Sequence, residues 1–332
     1  GTTADTTTAS VGDTVNFQVT VHAVNFVTAE NEETGKTETT LITKYVVTDT
    51  PTNMAIDSES IAVKVGNTEL GSTAYEVKVD ESTGVLTVTI PWAKDTDDDG
   101  TEDASLYAAP TDIVVTYSAE VLADAADDDA KNSSAATYNE GVEIGKDETN
   151  VYTYYFDLTK TDGADSVTEG VNTSVLAGAV FELYTTQTEG TAIQLVDEGN
   201  GVYHVADSTE IEAAKTDTSI KLTTEITTPE SGKVQVKGLA NGTYWLEETK
   251  APDGYNLLDS RQSFEIKDAD KADTKENDTT TAYGVEIENN AGTELPSTGG
   301  IGTTIFYVVG SILVIGAAVL LITKKRMNGS AE

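Results

Sequence analysis

The chain contains no cysteine. A disulfide framework is therefore excluded, and stability must come from packed cores or from another kind of brace. Histidine is almost as scarce, with His22 and His204 the only two. Both fall in strand-like segments without a nearby Cys or a motif-bearing Ser, so neither a zinc site nor a classical hydrolase triad is expected. Cations are few: 20 Lys and Arg stand against 57 Asp and Glu, for a formal net charge of −37. Such a surface repels nucleic acid and anionic lipid, which removes nucleic acid as a partner. Helical periodicity is nearly absent, and long apolar runs are missing everywhere except residues 301–322.

That one run sits in an informative order. Leu295-Pro296-Ser297-Thr298-Gly299 precedes it, and Lys324-Lys325-Arg326 with a stub ending at Glu332 follows it. At ~1.5 Å per residue the run can cross a ~30 Å hydrocarbon core, so a transmembrane helix is expected over residues 300–323. The three adjacent cations in the tail, residues 324–332, hold its end on the cytoplasmic side and leave everything before it outside. Pro296 keeps Leu295 extended, and Gly299 offers little hindrance to an attacking thiol. The arrangement resembles the LPxTG cell-wall sorting signal of Gram-positive bacteria, with all four fixed letters matched. The resemblance implies that a sortase cysteine attacks the Thr298 carbonyl and releases residues 299–332. The acyl group then passes to an amine of the peptidoglycan or of another subunit. The alternative is an ordinary tail anchor. An exported protein needs a signal peptide and none precedes Gly1, so further N-terminal sequence is expected.

Before the anchor the chain is rich in Thr and Val and alternates. Residues 15–21, 75–79, 85–90 and 113–117 each read as half-buried antiparallel strands between Gly, Asp and Asn turns. Residues 119–126 suit a short helical or irregular turn, with residues 124–129 exposed. This much strand predicts an all-β fold of two tandem immunoglobulin-like sandwiches. The polar stretch 141–150 marks the boundary, giving domains at 1–145 and 146–292, with a linker and sorting motif at 293–299.

In the second domain, Tyr152, Tyr154, Phe156, Leu158 and Lys160 share one strand face. Asn200-Gly201 and Asn241-Gly242 are both hairpin-turn dipeptides. Leu176-Ala177-Gly178-Ala179-Val180-Phe181-Glu182-Leu183 and Tyr244-Trp245-Leu246-Glu247-Glu248-Thr249-Lys250-Ala251-Pro252-Asp253-Gly254-Tyr255 resemble the signatures of Cna B-type domains, found in pilins and wall-anchored adhesins. The resemblance implies a spontaneous isopeptide bond between a first-strand Lys and a last-strand Asn, assisted by the Glu of the second motif. Here those are Lys160, Asn289 and Glu248. Strand parity agrees independently. Lys160 follows Phe156 and Leu158, Glu248 follows Tyr244 and Leu246, and Asn289 follows Val285 and Ile287. Lys221, Lys233 and Lys237 alternate against their apolar neighbours, and Asn290 is off the apolar face. Burial favours a neutral amine and a protonated acid, which suits attack on an amide with loss of ammonia. The alternative is a satisfied Lys160–Glu248 ion pair with Asn289 as a capping polar group.

In the first domain Val11-Gly12-Asp13, Tyr45-Val46-Val47-Thr48-Asp49, Tyr117-Ser118-Ala119-Glu120 and Asn132 with Tyr138-Asn139 resemble fimbrial isopeptide-forming domains. The resemblance implies Asn132 as the acceptor amide and Asp49 as the assisting acid. Its Lys partner would lie just before Val11, where residues 1–10 hold none. Asp49 equally suits a turn residue before Pro51. Asp95, Asp97 and Asp99 begin a calcium-loop pattern, but Leu106 stands where the bidentate Glu belongs. A solvated acidic loop is therefore expected, with calcium as the alternative, and no cofactor is otherwise implied.

These features predict no enzyme beyond autocatalytic bond formation. They predict a structural subunit of a sortase-assembled fimbria, cleaved between Thr298 and Gly299. Its partners would be sortase, neighbouring pilin subunits and peptidoglycan. The alternative is a monomeric wall-anchored adhesin that binds a host surface ligand.

Overall fold

The structure, a computed structural model, describes residues 6–31, 35–139, 141–163, 174–267 and 283–291. The expected sorting signal, membrane span and basic tail lie outside the described residues. The first unit runs through β1 (Thr6–Thr8), β2 (Thr14–Ala23), β3 (Phe26–Asn31), β4 (Lys36–Leu41), β5 (Lys44–Thr52), β6 (Met54–Ile56), β7 (Ala62–Val65) and β8 (Thr68–Glu69). It continues with β9 (Glu76–Val79), β10 (Leu86–Pro91), β11 (Ala93–Lys94), β12 (Ala104–Ser105), β13 (Thr111–Val121), β14 (Ala130–Tyr138) and β15 (Val142–Tyr152). One sheet has the order β1-β15-β14-β5-β10-β9, and the facing sheet β2-β13-β7-β8. Alternation builds the core between them, with Tyr45 and Val47, Val88 and Ile90, and Ile113 and Val115 all buried. Trp92 closes one part of it, edge-on to Tyr45 at 5.0 Å and hydrogen-bonded to Asn25 at 2.8 Å.

The second unit comprises β16 (Tyr154–Asp162), β17 (Val180–Tyr184), β18 (Leu195–Gly199), β19 (Val202–Val205), a six-residue helix α1 (Ser208–Ala213), β20 (Leu222–Thr223) and β21 (Glu225–Thr227). It ends with β22 (Lys233–Leu239), β23 (Gly242–Lys250), β24 (Gln262–Ile266) and β25 (Tyr283–Asn289). Its sheets are β20-β18-β19-β22-β16-β25 and β21-β17-β23-β24. Phe156, Leu158, Phe181, Leu183 and Leu246 fill the space between them. The all-β architecture is as the sequence predicts; of the turn expected over residues 119–126, residues 123–126 are helical, while residues 119–121 finish β13.

Two expectations need correction. The chain does not change units at residue 145, because β15 pairs with β14 along its whole length and ends at Tyr152. The passage comes at Thr153, whose hydroxyl donates to the Ala125 carbonyl. Residues 142–148 look like a linker because they are exposed on both faces of an outer strand. Tyr152 accordingly belongs to β15, and the second unit's first strand starts at Tyr154. Asn200-Gly201 does close the β18–β19 hairpin, with φ of 56° and 82°. Asn241-Gly242 does not make a hairpin, since β22 and β23 lie in different sheets.

The units meet in a polar and apolar joint. Val11 N donates to Gly238 O at 2.9 Å, and Ala240 N to Ser10 Oγ at 2.9 Å. Asp207 caps α1 and also accepts from Ala123 N at 2.8 Å, while Ser208 N donates to Glu120 at 2.8 Å. Lys237 reaches Asp127 at 2.8 Å. Gly238, at φ 82°, leaves room for Val11, whose Cγ2 would lie 2.8 Å from an added Cβ.

Candidate functional site

Lys160 and Asn289 stand on adjacent parallel strands, in a register that sets Lys160 against Ile287 and Asp162 against Asn289. They are two positions apart on the inward face, and each is 0% exposed. Glu248, 4% exposed, reaches them from β23 in the opposite sheet. Asn289 Nδ2 donates to Glu248 Oε2 at 2.8 Å and to Asn256 O at 2.6 Å. Leu258 N donates to the same Glu248 oxygen at 2.9 Å. Two oxygens have no partner among the described residues, Glu248 Oε1 and Asn289 Oδ1. Buried acceptors left in this way are costly and mark a site with unfinished business.

The lysine contributes in a matching way. Its Nζ donates to Ile287 O at 2.9 Å and to Thr161 O at 3.1 Å. Two carbonyls occupy two N–H bonds, so a neutral amine would keep its lone pair free. Burial pushes the Lys160 pKa down to about 8, against the opposing pull of Glu248, Glu288 and Asp162. The amine is thus drawn toward its nucleophilic form. No Lys160–Glu248 ion pair forms among the described residues, so the satisfied-pair alternative is not what the core contains. The rival residues fall elsewhere: Lys221, Lys233 and Asn290 are exposed, and Lys237 serves the joint.

The first unit holds a second cluster of similar make. Asp49 on β5 and Asn132 on β14 are 0% and 5% exposed, on adjacent antiparallel strands that pair Asp49 with Ser134 and Asn132 with Pro51. Asp49 sits inside a strand, so its reading as a turn residue is corrected. Tyr117 descends from β13 in the facing sheet, its ring stacked on Phe17 at 5.5 Å. Its hydroxyl donates to Asp49 Oδ2 and accepts from Asn132 Nδ2 at 2.7 Å. Asp49 Oδ1 and Asn132 Oδ1 have no partner among the described residues. Burial raises the Asp49 pKa to about 6, and burial together with the Asp49 charge raises that of Tyr117. No lysine is buried with this cluster among the described residues. The Tyr117 hydroxyl is a site group that sequence reasoning missed. Its signal was parity with Ile113 and Val115, since an inward phenol needs a polar partner.

Comparison with known proteins relates the chain to known families. A SpaA prealbumin-like fold domain matches residues 155–281, and an LPXTG cell wall anchor motif matches residues 287–329. The chain is 40% identical over 85 residues to fimbrial subunit type 1 of Actinomyces viscosus, covering 26% of this chain and 15% of that one. These matches make the chain similar to LPXTG-anchored pilins. It is also 28% identical over 220 residues to the trypsin-resistant surface T6 protein of Streptococcus pyogenes serotype M6, covering 56% of this chain and 39% of the relative. It thus spans well under half the length of these two curated relatives. A crystal structure of the group B streptococcus pilus 2b backbone protein superposes with a TM-score of 0.59 at 27% identity, covering 88% of this chain and 98% of that chain.

The anchor motif makes the chain a cell-surface, wall-anchored protein. Its other candidate groups are peripheral. Asp95, Asp97 and Asp99 bring carboxylate oxygens within 4.8 Å of one another on an exposed loop. Asp95 commits both of its oxygens to backbone, accepting from Asp98 N at 2.8 Å and Gly100 N at 2.7 Å. His22 lies against Asp112 at the surface, and His204 lies between Glu198 and Glu210 at 2.8 Å and 2.9 Å.

Proposed function

We propose that this chain is a shaft subunit of a sortase-assembled fimbria. Sortase would cleave between Thr298 and Gly299 and hand the Thr298 acyl group to a lysine of the next subunit or to peptidoglycan. The observation that carries the reading is one chain joining a backbone-pilin fold to an LPXTG anchor motif. A head-to-tail link of this kind is a heterologous contact and yields an open fibre.

The second unit would brace itself by an amide between Lys160 and Asn289. Neutral Lys160 attacks the Asn289 side-chain carbon, Glu248 passes the proton to the departing nitrogen, and ammonia leaves. The buried amine, the acid–amide contact of 2.8 Å and the two unpartnered oxygens support this step. Asn132 would act as an acceptor of the same kind in the first unit, assisted by Asp49.

The test is detergent-boiled wall extract. A ladder of high-mass species, containing a branched peptide that joins Thr298 to a neighbour's lysine, is expected. Thr298 attached only to wall peptide, with no ladder, would replace the shaft reading with a monomeric anchored protein.

A further inference from the structure

We propose that Tyr255 is a positioning residue for the Lys160–Asn289 site, a role that rests on the reading of that pair as amide-forming. Its hydroxyl holds Asp162, which keeps a strap gripping the Asn289 amide and keeps the Asp162 carboxylate off the Lys160 amine. The strap is residues 251–258, and the sequence sets its path. Pro252, which is buried, opens a turn that closes where Tyr255 N donates to Pro252 O at 3.1 Å. Gly254 stands third in that turn at φ 88°, a left-handed value that glycine adopts freely. The chain leaving Glu248 is thereby turned toward the end of β25. Tyr255 pairs there with Ala291, and Asn256 N donates to Asn290 O at 3.0 Å.

Two backbone groups of the strap then reach the site. Asn256 O accepts from Asn289 Nδ2 at 2.6 Å, and Leu258 N donates to Glu248 Oε2 at 2.9 Å. Asn256 presents a carbonyl, so only the nitrogen end of the Asn289 amide can face it. The second proton on Nδ2 goes to Glu248 at 2.8 Å. The strap thus turns the leaving nitrogen to the acid, where a proton must arrive for ammonia to depart. Its side-chain anchor is the Tyr255 hydroxyl, which donates to Asp162 Oδ2 at 2.9 Å. Asp162 lies opposite Asn289 in the β16–β25 register and two positions beyond Lys160, on the same strand face. The bond therefore ties the strap to β16 and engages the carboxylate that follows the amine. Lys160 Nζ is left to the Ile287 and Thr161 carbonyls. A carboxylate turned onto that amine would favour its charged, unreactive form.

The experiment follows ammonia loss at Asn289 in the full-length chain during cell-free synthesis, by intact mass and mapping of the joined Lys160 and Asn289 peptides. Tyr255→Phe removes only the hydroxyl and should slow the loss by roughly 10- to 100-fold, the scale on which misplaced reacting groups lose rate. Rates are read on both sides of pH 8. Burial holds the Lys160 pKa down to about 8 against the charges of Glu248 from β23, Glu288 from β25 and Asp162 from its own strand. The wild-type rate should rise with pH through about 8 as the amine loses its proton. With Asp162 released in Tyr255→Phe, that rise should move to higher pH. Adding Asp162→Asn should move it back while the loss stays slow. Gly254→Ala meets no neighbouring atom and strains only the turn, so it should slow the loss without moving the rise. An unchanged rate in Tyr255→Phe or in Gly254→Ala overturns the positioning role. A Tyr255→Phe rate lowered equally at every pH overturns it too, since packing alone would do that. No loss of ammonia at Asn289 in the wild type overturns the amide reading itself.

Discussion

A lysine carried into a sandwich core without a carboxylate against its amine can remain there by losing its charge or by losing its amine. Lys160 tests the two against each other. In Asn289→Ala no amide can form, and the free amine keeps its folded pKa of about 8 against 10.5 for the ordinary side chain. The unfolded state then binds more protons between those values, so stability should rise as pH climbs from about 8 to about 10.5. The gain is on the order of 3 kcal/mol. Wild type should lack this increment if the proposed amide consumes its amine, so the informative measurement is the difference between their melting curves. Glu248→Ala should keep the fold but leave the full unmodified mass, with about 4–5 kcal/mol less stability by the loop-closure estimate. A Glu248→Ala chain that still loses ammonia at Asn289 would remove the acid from the mechanism. Parity agreed with the resemblance in placing Lys160, Glu248, Asn289 and Asp49 inward, because each follows apolar residues two positions away, whereas Asn132 came from the resemblance alone. Tyr117 escaped the same logic, since a large aromatic among Ile113 and Val115 reads as ordinary core.

Strand β25 depends on its single neighbour in the sheet. Among the described strands it pairs only with β16, in parallel, at the end of a six-stranded sheet. Parallel edge pairing is the weaker kind, and an outer strand is the first to peel. A covalent link from Lys160 to Asn289 would fasten it close to its C-terminal end, where tension from the anchor enters. Hydrogen exchange at residues 283–289 should therefore be slow in wild type and at least tenfold faster in Asn289→Ala, with β18 and β19 little changed. Equal protection would mean the sheet holds β25 unaided. Elements were legible where one face was apolar and the other polar, as in β13 and β16. They were not where both faces were wet: residues 142–148 are all exposed, Val142 and Ile144 included, so their side chains carry no burial pattern. Asn241-Gly242 misled for a different reason. The dipeptide specifies a tight turn, but β22 and β23 are dealt to opposite sheets, and only the packing of the whole unit decides that.

At the scale of the molecule, the two units must stay joined although the chain carries a net charge of −37. Like charge pushes acidic bodies apart, so the joint has to be held by fitted contact. Nothing local in the sequence revealed it, because Val11 is far along the chain from Gly238, Ala123 from Asp207 and Asp127 from Lys237. Val11 is 3% exposed and lies against Gly238, whose φ of 82° only glycine adopts freely. Gly238→Ala would set a methyl 2.8 Å from Val11 Cγ2 and 3.3 Å from Ala126 Cβ, in addition to the backbone penalty. The expected cost is roughly 1–3 kcal/mol, concentrated at the joint. Each sandwich should remain folded while the pair hinges, so the radius of gyration from solution scattering should increase and the single melting transition should divide. Salt separates the causes. If fitted contact holds the units against repulsion, screening at high ionic strength should draw the Gly238→Ala chain back toward the compact form. If the Lys237–Asp127 pair were the main fastening, salt would open the joint further, and wild type would loosen with it.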